Sequence, residues 1–375
     1  MKKSKQININ SELIVKNVSS CNMRCDYCHW FRDSQISRFP SIMPVEVEDI
    51  LFARVSDHVQ KYSLDNMSIV LHGGEPLLAG KERILNFCQK AQKIEQEHGT
   101  KISINVTTNG TLLDHEWGRL ADSHGLHFTI SLDGPKEIHD KHRKLGKRSS
   151  FEETIAGIKS LKESSSNSFS ILAVADPSTL PEAVVDCFVD ELEITSFDIL
   201  VPKWNHDDLK KGIVNISDYF IRLFDLWYDN YSRDGIKIRI CSDIARLSLN
   251  LPPVAQTLVG GPMYHVSIAP NGEIEPIYNL RMNGADQVFT GLNIVSNSLE
   301  SVISNKQWLK IFEMAQIIPE ACTNCELVRV CKGGMFHTRY SSKDGYNRPS
   351  VYCSDIKKII SHAKKKISKD LIFAD

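Results

Sequence analysis

Three cysteines, Cys21, Cys25 and Cys28, fall within the stretch SSCNMRCDYCHWFRD, spaced three and then two residues apart. Thiolates are metal ligands, and four of them close a tetrahedral site, so three leave one coordination position open. On zinc that position would take water or substrate; on a four-iron cluster it would leave one iron free for an outside ligand. A second set lies near the other end, where CTNCELVRVC supplies Cys322, Cys325 and Cys331, and SVYC adds Cys353. Four thiols there close either an iron–sulfur cubane or a zinc site. The remaining cysteines, Cys88, Cys187 and Cys241, are spread singly and read as small buried hydrophobes, the first two on helix-like segments and Cys241 after an alternating strand.

The elements that must position these residues alternate between strand and helix. ELIVKNV, MSIVLHGG, KISINVTTNG, HFTISLDG, SFSILAVA and SFDILVP read as strands. Helical patterns fall at 44–61, 80–97, 112–124, 151–163, 180–192 and 215–229. Such βα repeats predict a parallel sheet with helices outside, an α/β fold of the partial (β/α)6 TIM-barrel type. In these folds chemistry sits at the C-terminal ends of the strands. Four loops meet that expectation: the cysteine loop, Gly73-Gly74-Glu75-Pro76, Thr108-Asn109 and Asp133-Gly134-Pro135. Beyond 232 the pattern changes. IKIRIC reads as a strand, and HVSIAPNGEIEPI as a hairpin turning at Asn-Gly. The expected organisation is a barrel over 1–231, a bridging region over 232–300, and a cluster domain with a C-terminal helix over 301–375.

Composition bounds the surroundings. The chain has 375 residues, ten cysteines and a formal net charge of −1, which gives no electrostatic case for nucleic acid or an anionic membrane. No apolar run reaches the roughly 18 residues of a membrane span, and MKKSKQININ lacks the apolar core of a signal peptide. The expectation is a soluble cytoplasmic protein whose clustered cysteines bind metal rather than form disulfides.

The spacing Cys-x3-Cys-x2-Cys, with Tyr27 before the last cysteine, resembles the radical S-adenosylmethionine (SAM) superfamily. The resemblance implies a 4Fe-4S cluster on Cys21, Cys25 and Cys28. Its open iron would take the amino and carboxylate groups of SAM, which is cleaved to a 5'-deoxyadenosyl radical. GGEP resembles the segment that holds the methionine amino group, implying cofactor contacts from Gly73, Gly74 and Glu75. SLDGPKEIHDKHRKLGKRSSFE resembles the segment that supplies Ser131 to the ribose or carboxylate and Arg143 to the carboxylate, where a fixed fork of donors suits the ligand. Tyr27 and Asn109 lie on the same rim, whereas His139 and Asp140 are expected to fix their loop.

The x2, x5, x21 spacing of Cys322, Cys325, Cys331 and Cys353 resembles the SPASM domain of radical SAM peptide maturases, which in full form holds two auxiliary clusters. Here Ile277 and Met335 stand where cysteines of the other set are expected, and Gly260 and Gly261 sit near where an upstream one is, implying a single auxiliary 4Fe-4S cluster. FDILVPKWNHD, APNGEIEPIYNLR and VCKGGMFHTRYSSKDGYNRPSVYC resemble the cyclophane-forming maturases of ribosomally made peptides. That implies an aromatic-carbon-to-Cβ crosslink in a precursor peptide with leader and core, and an electron donor such as flavodoxin or ferredoxin. Sulfatase-maturing relatives carry a catalytic Asp where this chain has Tyr278. A phenol of pKa near 10 is a poor base at neutral pH, so Tyr278, the one candidate catalytic side chain, is expected to position substrate or to pack. Other readings are an ether or thioether crosslink, an epimerisation, or a non-enzymatic redox sensor.

Overall fold

The computed structural model describes residues 11–372 apart from 168, 213–214, 262–264 and 277. Eleven strands are named in chain order: β1 Glu12–Val18, β2 Arg24–Cys25, β3 Asn66–Gly73, β4 Lys101–Thr108, β5 Leu126–Ser131, β6 Arg143–Lys144, β7 Ser170–Val174, β8 Ser196–Leu200, β9 Lys237–Ile238, β10 Val266–Ile268 and β11 Ile274–Glu275. The six expected βα repeats are present, and the class is α/β with mostly parallel strands.

Two compact units divide the chain. The first comprises Met1–Ser131, Arg143–Phe169 and Met263–Phe312. Its sheet runs β11-β10-β1-β3-β4-β5. β1, β3, β4 and β5 are parallel, β10 joins β1 in parallel, and β11 turns back antiparallel on β10. Along β3 and β4 burial alternates strictly. Met67, Ile69, Leu71, Ile102, Ile104 and Val106 form one fully buried face. The other face is half-buried and partly polar, with Asn105 donating to Ser68 Oγ across the pair at 2.9 Å. With a period of two, one face packs while the other remains free to line a site. Helices Val45–Tyr62 and Lys81–His98 bury Leu51, Phe52 and Val55, and Ile84, Phe87 and Ala91, at helical spacing.

The second unit comprises Leu132–His142, Ser170–Pro262 and Glu313–Asp375. β7, β8 and β9 are parallel neighbours. Here one expectation fails. IKIRIC is a strand only at Lys237–Ile238; Arg239–Ser248 is a helix that contains Cys241. Ile240, Ile244 and Leu247 recur at helical spacing and are buried, whereas the alternation of IKIRI is a coincidence of its first five residues. Cys88, Cys187 and Cys241 are all buried, as expected of small hydrophobes.

Candidate functional site

The cysteine loop begins where β1 ends. The register between β1 and β3 shifts between Lys16 and Val18, a bulge of the kind that re-aims a strand end. From there the loop is laced to the GGEP turn. Gly74 N donates to Val18 O and Glu75 N to Ser20 O, both at 2.8 Å. The approach is too close for side chains. A Cβ on Gly73, whose φ is +126°, would lie 2.2 Å from Val18 O, and one on Gly74 would lie 1.9 Å from Ser20 O. The two glycines therefore let backbone meet backbone beside the thiols.

Glu75 sits beneath this junction, 1% exposed. Its carboxylate accepts from Leu77 N at 3.0 Å, Thr108 Oγ1 at 2.7 Å and Asn109 N at 2.8 Å, joining the loops after β3 and β4. Burial raises its pKa and these donors oppose the rise. Asn109 carries the chain of bonds upward. Its amide donates to Asn22 Oδ1 at 2.8 Å and to Cys21 Sγ at 3.9 Å, and its oxygen accepts from Thr111 Oγ1 at 2.7 Å. Asn22 donates in turn to Thr111 Oγ1 at 2.9 Å. Burial pushes the Cys21 thiol up to about 11. Sequence reasoning missed Asn22 and Thr111, although Asn22 lies inside the cysteine motif.

On the other side of the loop, β2 pairs antiparallel with β6 and sets Cys25 opposite Arg143. The Arg143 guanidinium lies 5.5 Å from the centre of the Tyr27 ring, and Ser150 Oγ donates to Arg143 O at 2.6 Å. Ser131 is half-buried at the end of β5. Cys21, Cys25, Tyr27, Glu75, Asn109 and Arg143 are thus tied together by contacts within the first unit. In the second unit His139 Nδ1 accepts from Asp133 N at 3.2 Å, the loop-fixing role expected of it.

Behind the cysteine loop lies a buried set of charges the sequence did not announce. Lys16 on β1 donates to Glu275 on β11 at 2.7 Å. Arg281 bonds both Glu275 and Asp33, the latter just past the cysteines. The four are at most 7% exposed. Trp30 packs on them, its ring 4.7 Å from Lys16 Nζ, and its indole donates to Ser19 O at 2.9 Å. Cys28 packs against the cluster of Trp30, Phe39 and Ala269.

In the second unit Cys322, Cys325, Cys331 and Cys353 line one small pocket with Gly333 and Lys357. Among the described residues no three or more His, Cys, Asp or Glu side chains are arranged to hold a metal ion. Gly260 N donates to Cys331 O at 2.9 Å, and a Cβ there would lie 2.6 Å from Gly334 O. Met335 is buried. Ile277 and the side chain of Tyr278 lie outside the described residues; Tyr278 opens the short helix Tyr278–Asn283.

With this geometry in place, the comparisons with known proteins are informative. The profile of the Radical SAM superfamily matches residues 18–185. The chain is 27% identical over 375 residues to a cysteine-type anaerobic sulfatase-maturating enzyme of Clostridium perfringens, covering 94% of this chain and 95% of that one. It is 23% identical over 348 residues to the radical SAM cyclopropyl synthase TigE of Paramaledivibacter caminithermalis, covering 86% and 66%. The solved structure of native anSMEcpe with bound AdoMet and the Kp18Cys peptide aligns with a TM-score of 0.80 at 23% identity, covering 96% of this chain and 98% of that chain. The fold is therefore the one that structure has, and residues 18–185 are similar to the Radical SAM superfamily. Similarity to sulfatase-maturating enzymes runs nearly end to end.

Proposed function

We propose that this protein is a radical SAM peptide maturase that forms an aromatic-carbon-to-Cβ crosslink in a ribosomally made precursor peptide. Cys21, Cys25 and Cys28 hold three irons of the catalytic 4Fe-4S cluster, and Cys322, Cys325, Cys331 and Cys353 hold an auxiliary one. The donor sets fit these groups. Three thiols on one loop leave the open position SAM needs, and four thiols lining one pocket can close a four-iron cube. When bound, the first cluster would supply the electron that cleaves SAM to a 5'-deoxyadenosyl radical able to take hydrogen from carbon.

The chain's own residues do the positioning. Gly73 and Gly74 bring backbone to the ligand. Arg143, steadied over Tyr27 and by its strand pairing with Cys25, offers its fork to the SAM carboxylate. Ser131 faces the ribose or carboxylate. Glu75, with three donors, fixes the loops carrying Cys21 and Asn109 as well as facing the methionine amino group. Tyr278 orients the peptide. A flavodoxin or ferredoxin delivers the electron.

The observation that carries crosslinking over sulfatase maturation is the reduced auxiliary region. The sequence offers one set of four thiols there, and backbone packs closely at Gly260, near where a further cysteine is expected. Tyr278 in place of a catalytic Asp supports the same reading. A second reading, oxidation of a cysteine or serine side chain, is favoured by the near full-length similarity to the sulfatase-maturating enzyme. One experiment separates them. The reconstituted enzyme is incubated anaerobically with SAM, a reductant and the peptide encoded by the neighbouring small open reading frame. Crosslinking yields a product lighter by two hydrogens, with deuterium from the partner Cβ in 5'-deoxyadenosine and no aldehyde. A product that reacts with a hydrazide supports the second reading, and label arriving from Cα sinks the crosslink.

A further inference from the structure

Arg339 is 1% exposed, among the largest fully buried side chains of the molecule. It lies in the second unit, and the Gly333 Cβ position, on the wall of the four-thiol pocket, is 3.9 Å from its Cδ. Its guanidinium donates to three backbone carbonyls: Ile317 O at 3.0 Å, Tyr346 O at 2.8 and 3.1 Å, and Arg348 O at 3.2 Å. These bonds come from its Nε and Nη2, and the guanidinium lies 5.5 Å from the centre of the Phe336 ring, but none of them cancels its charge. Among the described residues no carboxylate forms an ion pair with it. A buried cation without a counter-charge is costly, so a negative group is expected nearby. The groups it faces electrostatically are Cys322 and Cys331.

We infer that Arg339 is the fixed counter-charge of the auxiliary cluster and holds its reduction potential up. The inference rests on the reading of the four thiols as cluster ligands. A cubane on four thiolates is anionic and gains one more negative charge on reduction, so a fixed cation stabilises the reduced form more than the oxidised one. Loss of the charge lowers the midpoint.

The test uses the full chain with Cys21, Cys25 and Cys28 changed to Ala, so that the auxiliary cluster alone is titrated by electron paramagnetic resonance. Iron is assayed first; none in this parent removes the cluster reading and the inference with it. Given iron, Arg339→Gln is expected to shift the midpoint down, while Arg339→Lys, which keeps charge with fewer donors, stays near the parent value. Loss of the cluster from the Gln chain alone also supports the charge role. An unchanged midpoint in Arg339→Gln overturns it. So does loss of the cluster from both variants with circular dichroism unchanged, which would make Arg339 a brace for its three carbonyls.

Discussion

Arg281→Met is the most demanding single test of how the cysteine loop is held. Arg281 has no exposed side-chain surface and forks between Asp33 and Glu275. The set of Lys16, Asp33, Glu275 and Arg281 is formally neutral, with two charges of each sign. Removing Arg281 leaves Glu275 still paired to Lys16 at 2.7 Å. Asp33 keeps the Gln35 N–H at 2.8 Å but loses its cation. One stranded buried carboxylate costs about 3–5 kcal/mol. With a urea slope of about 3 kcal/mol per M, the unfolding midpoint should fall by about 1–1.7 M. Arg281→Lys keeps the charge but cannot fork to both acids, and should lose about 1.5–3 kcal/mol. Asp33→Asn combined with Arg281→Met removes the stranded charge and should recover part of the loss. Because Asp33 lies five residues after Cys28, at the end of the short helix Trp30–Arg32, the single variant should also bind less iron at the first site. A midpoint within about 0.3 M of the parent, roughly 1 kcal/mol, would refute the reasoning.

Cys21, Cys25 and Cys28 changed together to Ala should abolish 5'-deoxyadenosine formation while iron at the C-terminal site persists; continued SAM cleavage overturns the assignment. The unaltered chain should bind about eight irons and eight sulfides, two cubanes' worth, and about twelve would mean further ligands. Arg143→Ala should raise the KM for SAM about ten- to hundred-fold, the loss of one charge-assisted pair, and an unchanged KM makes Arg143 structural. The Asp176 carboxyl is half-desolvated, which opposes ionisation, but donors from His142, Lys141 and Ser178 prevail and hold its pKa below the usual range. A depressed folded-state pKa gives stability that is present above the ordinary carboxylate pKa and lost as pH falls below it towards the folded value. Asp176→Asn should therefore lose stability at neutral pH and flatten the acid limb of the profile; an unaltered acid limb in denaturation curves counts against it.

The strands and helices that position the site were legible because their patterns are local. ELIVKNV, MSIVLHGG and KISINVTTNG became strands at nearly their expected bounds, and spacing and resemblance singled out the thiols, the glycine pair and Arg143 as candidates. What escaped was non-local. Lys16 reads as an outward-facing lysine, yet it is buried because Glu275 arrives 259 residues later on a hairpin that joins β1. Neither pattern nor propensity encodes that encounter. The Glu75 brace was hidden for a related reason. A motif names a carboxylate but not the three donors that the loops after β3 and β4 bring to it. IKIRIC misled because five alternating residues are too few to tell a strand from the first turn of a helix.

The close contact at Gly260 bears on how this chain could have changed over time. Restoring a second auxiliary set would require cysteines at several positions at once, among them Gly260 or its neighbour and Met335. The Gly260 step is obstructed before any metal arrives, since a Cβ there would press to 2.6 Å against the Gly334 carbonyl. Each cysteine alone would bring this clash or an unfilled ligand without any cluster to compensate. A chain with this backbone therefore gains nothing from any one of those cysteines alone, and the steps toward a second set are closed one at a time.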